Sequence, residues 1–507
     1  MASSLDTLKT KLLEIHHLKD AAALLSWDQE TYMPTGGGQA RADQLATLQT
    51  LAHNQFVSAD MESLLAHWIN PETGLVDSSH QDLDEATKAL LRETWRDFSR
   101  EKKLPSDFVT RLERECSLAQ QVWTTARAHN DFASFAPHLR TIVSLKQEEA
   151  QYLGFVDSPY NALLDTFEPG ATMAQLTPLF ATLREGLVSL LSRIRQAPTP
   201  PTDDLLHQSF AHEPQLEFGR LVLTKMGYDF SRGRLDLSAH PFTTSFHPHD
   251  VRVTTRVFDK DLPSCLFSCI HEGGHGLYEQ GLASAHYGTA LGEAISLGIH
   301  ESQSRFWENC IGRSRPFWQY FFPLLQERFP EQLGSVSLDT FYRAINVVKP
   351  SLIRVEADEV TYNLHIMVRY EIELDLLENR VEVDQLPELW RAKMQEYVGI
   401  VPDRDAEGVL QDVHWSFGAI GYFPTYTLGN LYSAMLYDQA LQVLPELPEQ
   451  IAQGNLLPLR KWLGEQIHQW GRQYTSEELI LRVTGQTLSA QPFLHYLEQK
   501  LGEVYHL

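Results

Sequence analysis

Apolar positions recur at helical spacing along most of the chain. Leu5, Leu8, Leu12 and Ile15 open it in this way, and Leu83–Arg100, Leu176–Arg195 and Ile353–Glu378 carry the same period. A 3.6-residue repeat predicts amphipathic helices with one face in a core. The clearest departure is Phe242–Phe258, which alternates and is rich in Thr, Val and Phe. It predicts a strand, and hence a small sheet. A further helix is predicted over Asp261–Glu279. Asp261 stands near its start, and Pro263 falls in the first turn, where a missing N–H is tolerated. Leu266, Phe267, Ile270 and Leu277 form its apolar face. Gly273, Gly274 and Gly276 run against this helix, because glycine costs about 1 kcal/mol in a helix interior. Bare backbone there is expected to let a substrate come close.

No internal repeat or low-complexity tract interrupts the pattern. The strongest break is Ala197-Pro198-Thr199-Pro200-Pro201-Thr202-Asp203, which cannot continue a helix. It reads as a surface loop rather than a domain boundary. The expectation is one domain over residues 1–507, mostly α, with two lobes around a deep groove and a small β-sheet beside the site.

Composition narrows the function class. The formal net charge is −24, from 66 acidic and 42 basic residues. Such a surface repels nucleic acid and anionic membranes. No apolar run approaches the ~18 residues of a membrane span, and Met1–His17 lacks the apolar centre of a signal peptide. The setting expected is the cytoplasm. Four cysteines, Cys116, Cys265, Cys269 and Cys310, are too few for a disulfide framework at this length. Cys265 and Cys269 sit one helical turn apart and read as buried free thiols.

The chemistry concentrates in His271-Glu272-Gly273-Gly274-His275. Two histidines four apart share one helix face and reach one zinc ion. The glutamate between them is placed to act as general base on a metal-bound water. A catalytic zinc usually takes three protein ligands and keeps one position open. Glu301, in His300-Glu301-Ser302-Gln303-Ser304-Arg305, is the candidate third ligand. The competing explanation is an amphipathic helix with two surface histidines.

Several ordered segments together resemble the M32 family of metallocarboxypeptidases, the carboxypeptidase Taq type. They are Trp27-Asp28-Gln29-Glu30-Thr31 with Met33-Pro34, Asp250-Val251-Arg252-Val253-Thr254, His271–His275 and His300–Arg305. Further on come Ile353-Arg354-Val355-Glu356-Ala357-Asp358 and Gly408-Val409-Leu410-Gln411-Asp412-Val413-His414-Trp415. The resemblance spans nearly the whole chain, and its metal-site segment covers residues 250–430. It implies a large helical zinc-peptidase fold and removal of single residues from peptide C-termini with broad side-chain tolerance. It also implies Zn²⁺ or Co²⁺ as cofactor, and a homodimer.

An exopeptidase must hold a free C-terminal carboxylate, and the planar guanidinium of arginine suits that task. Arg354 is the first candidate and Arg252 the second. A structural role competes for both; Arg354 and Asp358, four apart on a predicted helix, would simply pair. By analogy with related helical zinc peptidases, His414 and one of Tyr422 and Tyr426 stabilise the oxyanion. The sequence does not choose between the tyrosines. The alternatives are an oligopeptidase or dipeptidyl carboxypeptidase with the same metal chemistry, and a non-catalytic helical scaffold.

Overall fold

The computed structural model describes residues 4–80 and 82–507. The leucine repeat at the start becomes α1 (Ser4–Thr31), which buries Leu8, Leu12 and Ile15. The next two predicted periods become α2 (Glu85–Lys103) and α3 (Met173–Arg195). Asp84 begins α2 by accepting a hydrogen bond from the Thr87 N–H, and Thr172 begins α3 through a capping box with Gln175. Each cap satisfies N–H groups that the first helical turn leaves without partners. The proline-rich segment after α3 is irregular. Two apolar cores form: a small one joins α1 and α2 to Leu291, and a large one holds most of the remaining chain.

The alternating stretch folds as a hairpin rather than one strand. Its parts are β2 (Thr243–His247) and β3 (Asp250–Thr255), joined through Pro248 and His249. Proline removes a ladder donor, so the strand cannot run on through it. A third strand, β1 (Gly233–Leu237), pairs parallel with β3, giving the order β1-β3-β2. Its five residues include Arg234 and Asp236, too short and polar to have stood out. Val251 and Val253 on β3 are fully buried and bring the sheet against α4 (Leu262–Gly281).

α4 ends within two residues of the predicted helix. Its glycines do not serve substrate approach. A Cβ on Gly274 would lie 2.6 Å from the Gln303 carbonyl oxygen and 2.6 Å from the Ser304 Cα. One on Gly273 would meet Leu223, and one on Gly276 would meet Tyr228 and Val253. The glycines therefore let α4 pack closely against α5 (Leu297–Arg305), the sheet and the helix His212–Met226. Gly274→Ala is expected to destabilise the fold by about 1–3 kcal/mol, because backbone atoms must give way. A lowered melting temperature by circular dichroism checks this.

Past α5 the chain continues as a π-helical segment, Phe306–Gly312, of the kind often found at functional sites. The helix predicted from residue 353 begins only at Thr361, as α6 (Thr361–Leu377). Asp358 accepts hydrogen bonds from the backbone N–H groups of Val360 and Thr361. That cap starts the helix there and leaves Arg354 in a preceding 3₁₀ turn. The Arg354–Asp358 pair, the structural alternative to a binding role for Arg354, does not form. α7 (Pro424–Val443) completes the surroundings of the site. Among the described residues no helix is long and apolar enough to cross a membrane.

Candidate metal centre

Two elements bring the three candidate ligands together. His271 and His275 project from one face of α4, and Glu301 from α5. One donor atom from each lies within 4.8 Å of the others. Glu301 Oε2 is 3.8 Å from His271 Nε2 and 3.5 Å from His275 Nε2. Gly429 of α7 backs this arrangement, since a Cβ there would come within 2.5 Å of the Glu301 side chain. α5 is thus clamped between Gly274 and Gly429.

The outward ring nitrogens are both occupied. His271 Nδ1 donates to Glu308 Oε2 at 2.9 Å, and His275 Nδ1 lies 2.5 Å from His300 Nδ1. Both Nε2 atoms are left facing Glu301. Two imidazole nitrogens and a carboxylate oxygen are a donor set that divalent zinc takes, so the residues fit such an ion. Burial is the main cause that pulls His275 down to about 3, which keeps it neutral. Burial opposes the charge on Glu301, but Arg305 and the two histidines outweigh it and hold the carboxyl far below its usual range. Arg305 Nε donates to Glu301 Oε1 at 2.7 Å.

Glu272 lies beside this cluster and lines a groove of about 700 Å³. His271, Arg305, Glu308, Arg354, Tyr362 and Tyr426 line the same groove. Thr243 of β2 donates to Glu272 Oε2 at 2.7 Å. Burial is the main cause that raises the Glu272 pKa.

Arg354 is almost fully buried. Its Nε and Nη2 donate to Asp412 Oδ1 at 3.0 and 2.7 Å, and its Nη1 to the Tyr362 hydroxyl at 3.1 Å. Arg369 Nε donates to the other oxygen of Asp412 at 2.7 Å. Two guanidinium groups therefore share one carboxylate, and the trio keeps a net positive charge. Arg252 is engaged elsewhere. It pairs with Asp250 at 2.9 Å and lies over the rings of Trp27 and Phe246, outside the groove lining. His414 Nε2 is 3.3 Å from the Tyr426 hydroxyl. Burial lowers His414 to about 4. Tyr422 packs against both with ring centroids 5.3 Å away, but only Tyr426 of these three reaches the groove lining.

Sequence reasoning missed Glu279, His300, Arg305 and Glu308 as partners of the site. His300 and Arg305 stood in a recognised segment without a role. Glu308 carries no local signal, because the π-helical turn sets which face it joins.

A model of the Carboxypeptidase Taq (M32) metallopeptidases matches residues 7–501. Carboxypeptidase 1 of Bacillus subtilis (strain 168) is 40% identical over 496 residues, covering 98% of this chain and 97% of that protein. Thermostable carboxypeptidase 1 of Thermus thermophilus is 42% identical over 503 residues, covering 97% of each. The crystal structure of M32 carboxypeptidase from Deinococcus radiodurans R1 matches with a TM-score of 0.96 at 40% identity, covering 100% of both chains. The chain belongs to the carboxypeptidase Taq (M32) family of metallopeptidases and is a peptide hydrolase.

Proposed function

We propose that this enzyme removes single amino acids from free peptide C-termini, with broad side-chain tolerance, using Zn²⁺ and accepting Co²⁺. One observation carries the reading: His271, His275 and Glu301 converge beside a groove that also holds Glu272, Arg354 and Tyr426. His271, His275 and Glu301 are the ligands in this proposal. A bound divalent ion supplies Lewis acidity and lowers the pKa of water toward ~7.

The remaining steps belong to the chain's own groups. Glu272, held by Thr243, takes a proton from the attacking water and returns it to the leaving amine. Burial raises its pKa, the direction that suits a carboxylate base. Tyr426 donates to the oxyanion, with His414 behind it at 3.3 Å. Its place in the groove lining favours it over Tyr422.

Arg354 receives the substrate carboxylate, and the excess positive charge of the Arg354–Arg369–Asp412 trio supports this. Arg252 has no comparable support, being taken up by Asp250 and two rings. Arg354→Ala is expected to lower kcat/KM on peptides with free C-termini about 10- to 100-fold, the worth of one charge-assisted hydrogen bond. Amidated peptides should lose little by comparison; equal losses on both would remove Arg354 from this role.

The homodimer and cytoplasmic setting implied by the resemblance belong to the same proposal, and sedimentation velocity reads the first. The decisive assay incubates the protein with an N-terminally blocked peptide and follows products by mass spectrometry. Stepwise loss of single C-terminal residues, stopped by a chelator and restored by Zn²⁺ or Co²⁺, is expected. Metal-dependent internal or dipeptide cuts would overturn the exopeptidase reading and leave the metal chemistry.

A further inference from the structure

We propose that His300 and Glu279 form a positioning relay behind His275, fixing its tautomer and thereby the affinity of the metal centre. This rests on His275 being a ligand. Glu279 Oε1 lies 2.9 Å from His300 Nε2, and a carboxylate oxygen only accepts. His300 Nε2 therefore carries a hydrogen. In the neutral ring that leaves His300 Nδ1 bare, an acceptor. It faces His275 Nδ1 at 2.5 Å, so the shared hydrogen belongs to His275 Nδ1. The His275 lone pair is then on Nε2, the atom that faces Glu301 at 3.5 Å. Exchanging the tautomer of either ring breaks the chain of donors.

The placement also holds the ring orientation. His300 stands next to Glu301 on α5, while Glu279 lies one turn beyond His275 on α4. The close crossing at Gly274 sets the two helices at the distance the relay needs. The His275 and His300 rings lie 4.5 Å apart, and Tyr278 covers His300 from 5.3 Å. His271 is supported differently, by the Glu308 carboxylate directly. The two ligand histidines thus have unlike supports, one direct and one passed through a second imidazole.

The test measures metal affinity rather than turnover. Wild type, His300→Ala, Glu279→Gln and His275→Ala are stripped of metal and titrated with Zn²⁺ against a competing chelator. Co²⁺ visible absorption reports the ligand geometry. His300→Ala is expected to weaken Zn²⁺ binding about 10- to 100-fold, the usual effect of losing an orienting partner of a ligand. Glu279→Gln keeps an acceptor oxygen and loses the charge, so a smaller weakening in the same direction is expected. Wild-type affinity and an unchanged Co²⁺ spectrum in both variants would overturn the relay. Should His300→Ala fail to fold, Glu279→Gln decides alone by the same criterion. The His275→Ala control separates the two levels. If it binds Zn²⁺ like wild type, the ligand assignment itself fails, and the relay with it.

Discussion

Glu272→Gln is expected to bind Zn²⁺ with wild-type affinity and to hydrolyse peptides about 10³-fold more slowly, within the range of a lost general acid–base. The substitution preserves size and one acceptor oxygen for Thr243, whose hydroxyl now lies 2.7 Å from Oε2. It removes the basicity and nothing else of comparable weight. Glu272 is buried on the groove lining, and Thr243 holds its carboxylate in place. A kcat that falls while metal content and KM stay constant is the signature of a step-specific loss. Metal-loaded Glu272→Gln with full activity would assign the base elsewhere. Loss of metal from this variant would instead show that Glu272 supports the ligand cluster.

Glu301→Ala should show the largest combined effect on metal and fold. Glu301 is buried and holds Arg305 Nε at 2.7 Å and the Ser304 hydroxyl at 3.1 Å. Its removal leaves Arg305 with Glu308 at 3.4 Å and the face of Tyr362. Breaking one side of a buried ion pair costs about 3–5 kcal/mol, and the remaining contacts place this case near the lower end. The second loss is linkage. An ion at 1,000 times its Kd adds about 4 kcal/mol to the folded state, and a centre short of one ligand forfeits most of it. Urea denaturation with chelator present isolates the first contribution; repeating it with Zn²⁺ adds the second. Glu301→Gln, which keeps an acceptor for Arg305, should recover much of the first and little of the second. Equal stability of wild type and Glu301→Ala under both conditions would contradict the whole account.

The misreadings in this chain have two sources: local stop signals passed over, and neighbours from distant segments. Periodicity continued the helix of α6 back to residue 353, and only the Asp358 cap stopped it. Alternation merged β2 and β3 because the turn at Pro248 and His249 sits inside a run of β-prone residues. Gly273, Gly274 and Gly276 were correctly seen as costly and wrongly explained. Their reason lies in neighbours from other segments, Leu223, Gln303 and Tyr228, which no local window contains. The structural alternative weighed for Arg354, an ion pair, does form, but its acceptor is Asp412, 58 residues away, and not Asp358.

What the sequence determined by itself was the mostly helical class, the donor types and the order of the motifs. His271, Glu272 and His275 are set by a four-residue spacing that any α-helix converts into a shared face. Family membership follows from the same linear order, matched across residues 7–501. Tertiary structure alone decided what stands behind those donors. Glu308 reaches His271 through a π-helical turn, and His300 reaches His275 because α4 and α5 cross at a glycine. It also decided that Arg354 shares Asp412 with Arg369 and that Tyr426 stands in the groove lining. Spacing along a helix is fixed by local backbone geometry. Hydrogen-bond partners and net charge in a buried cluster depend on which distant elements pack together.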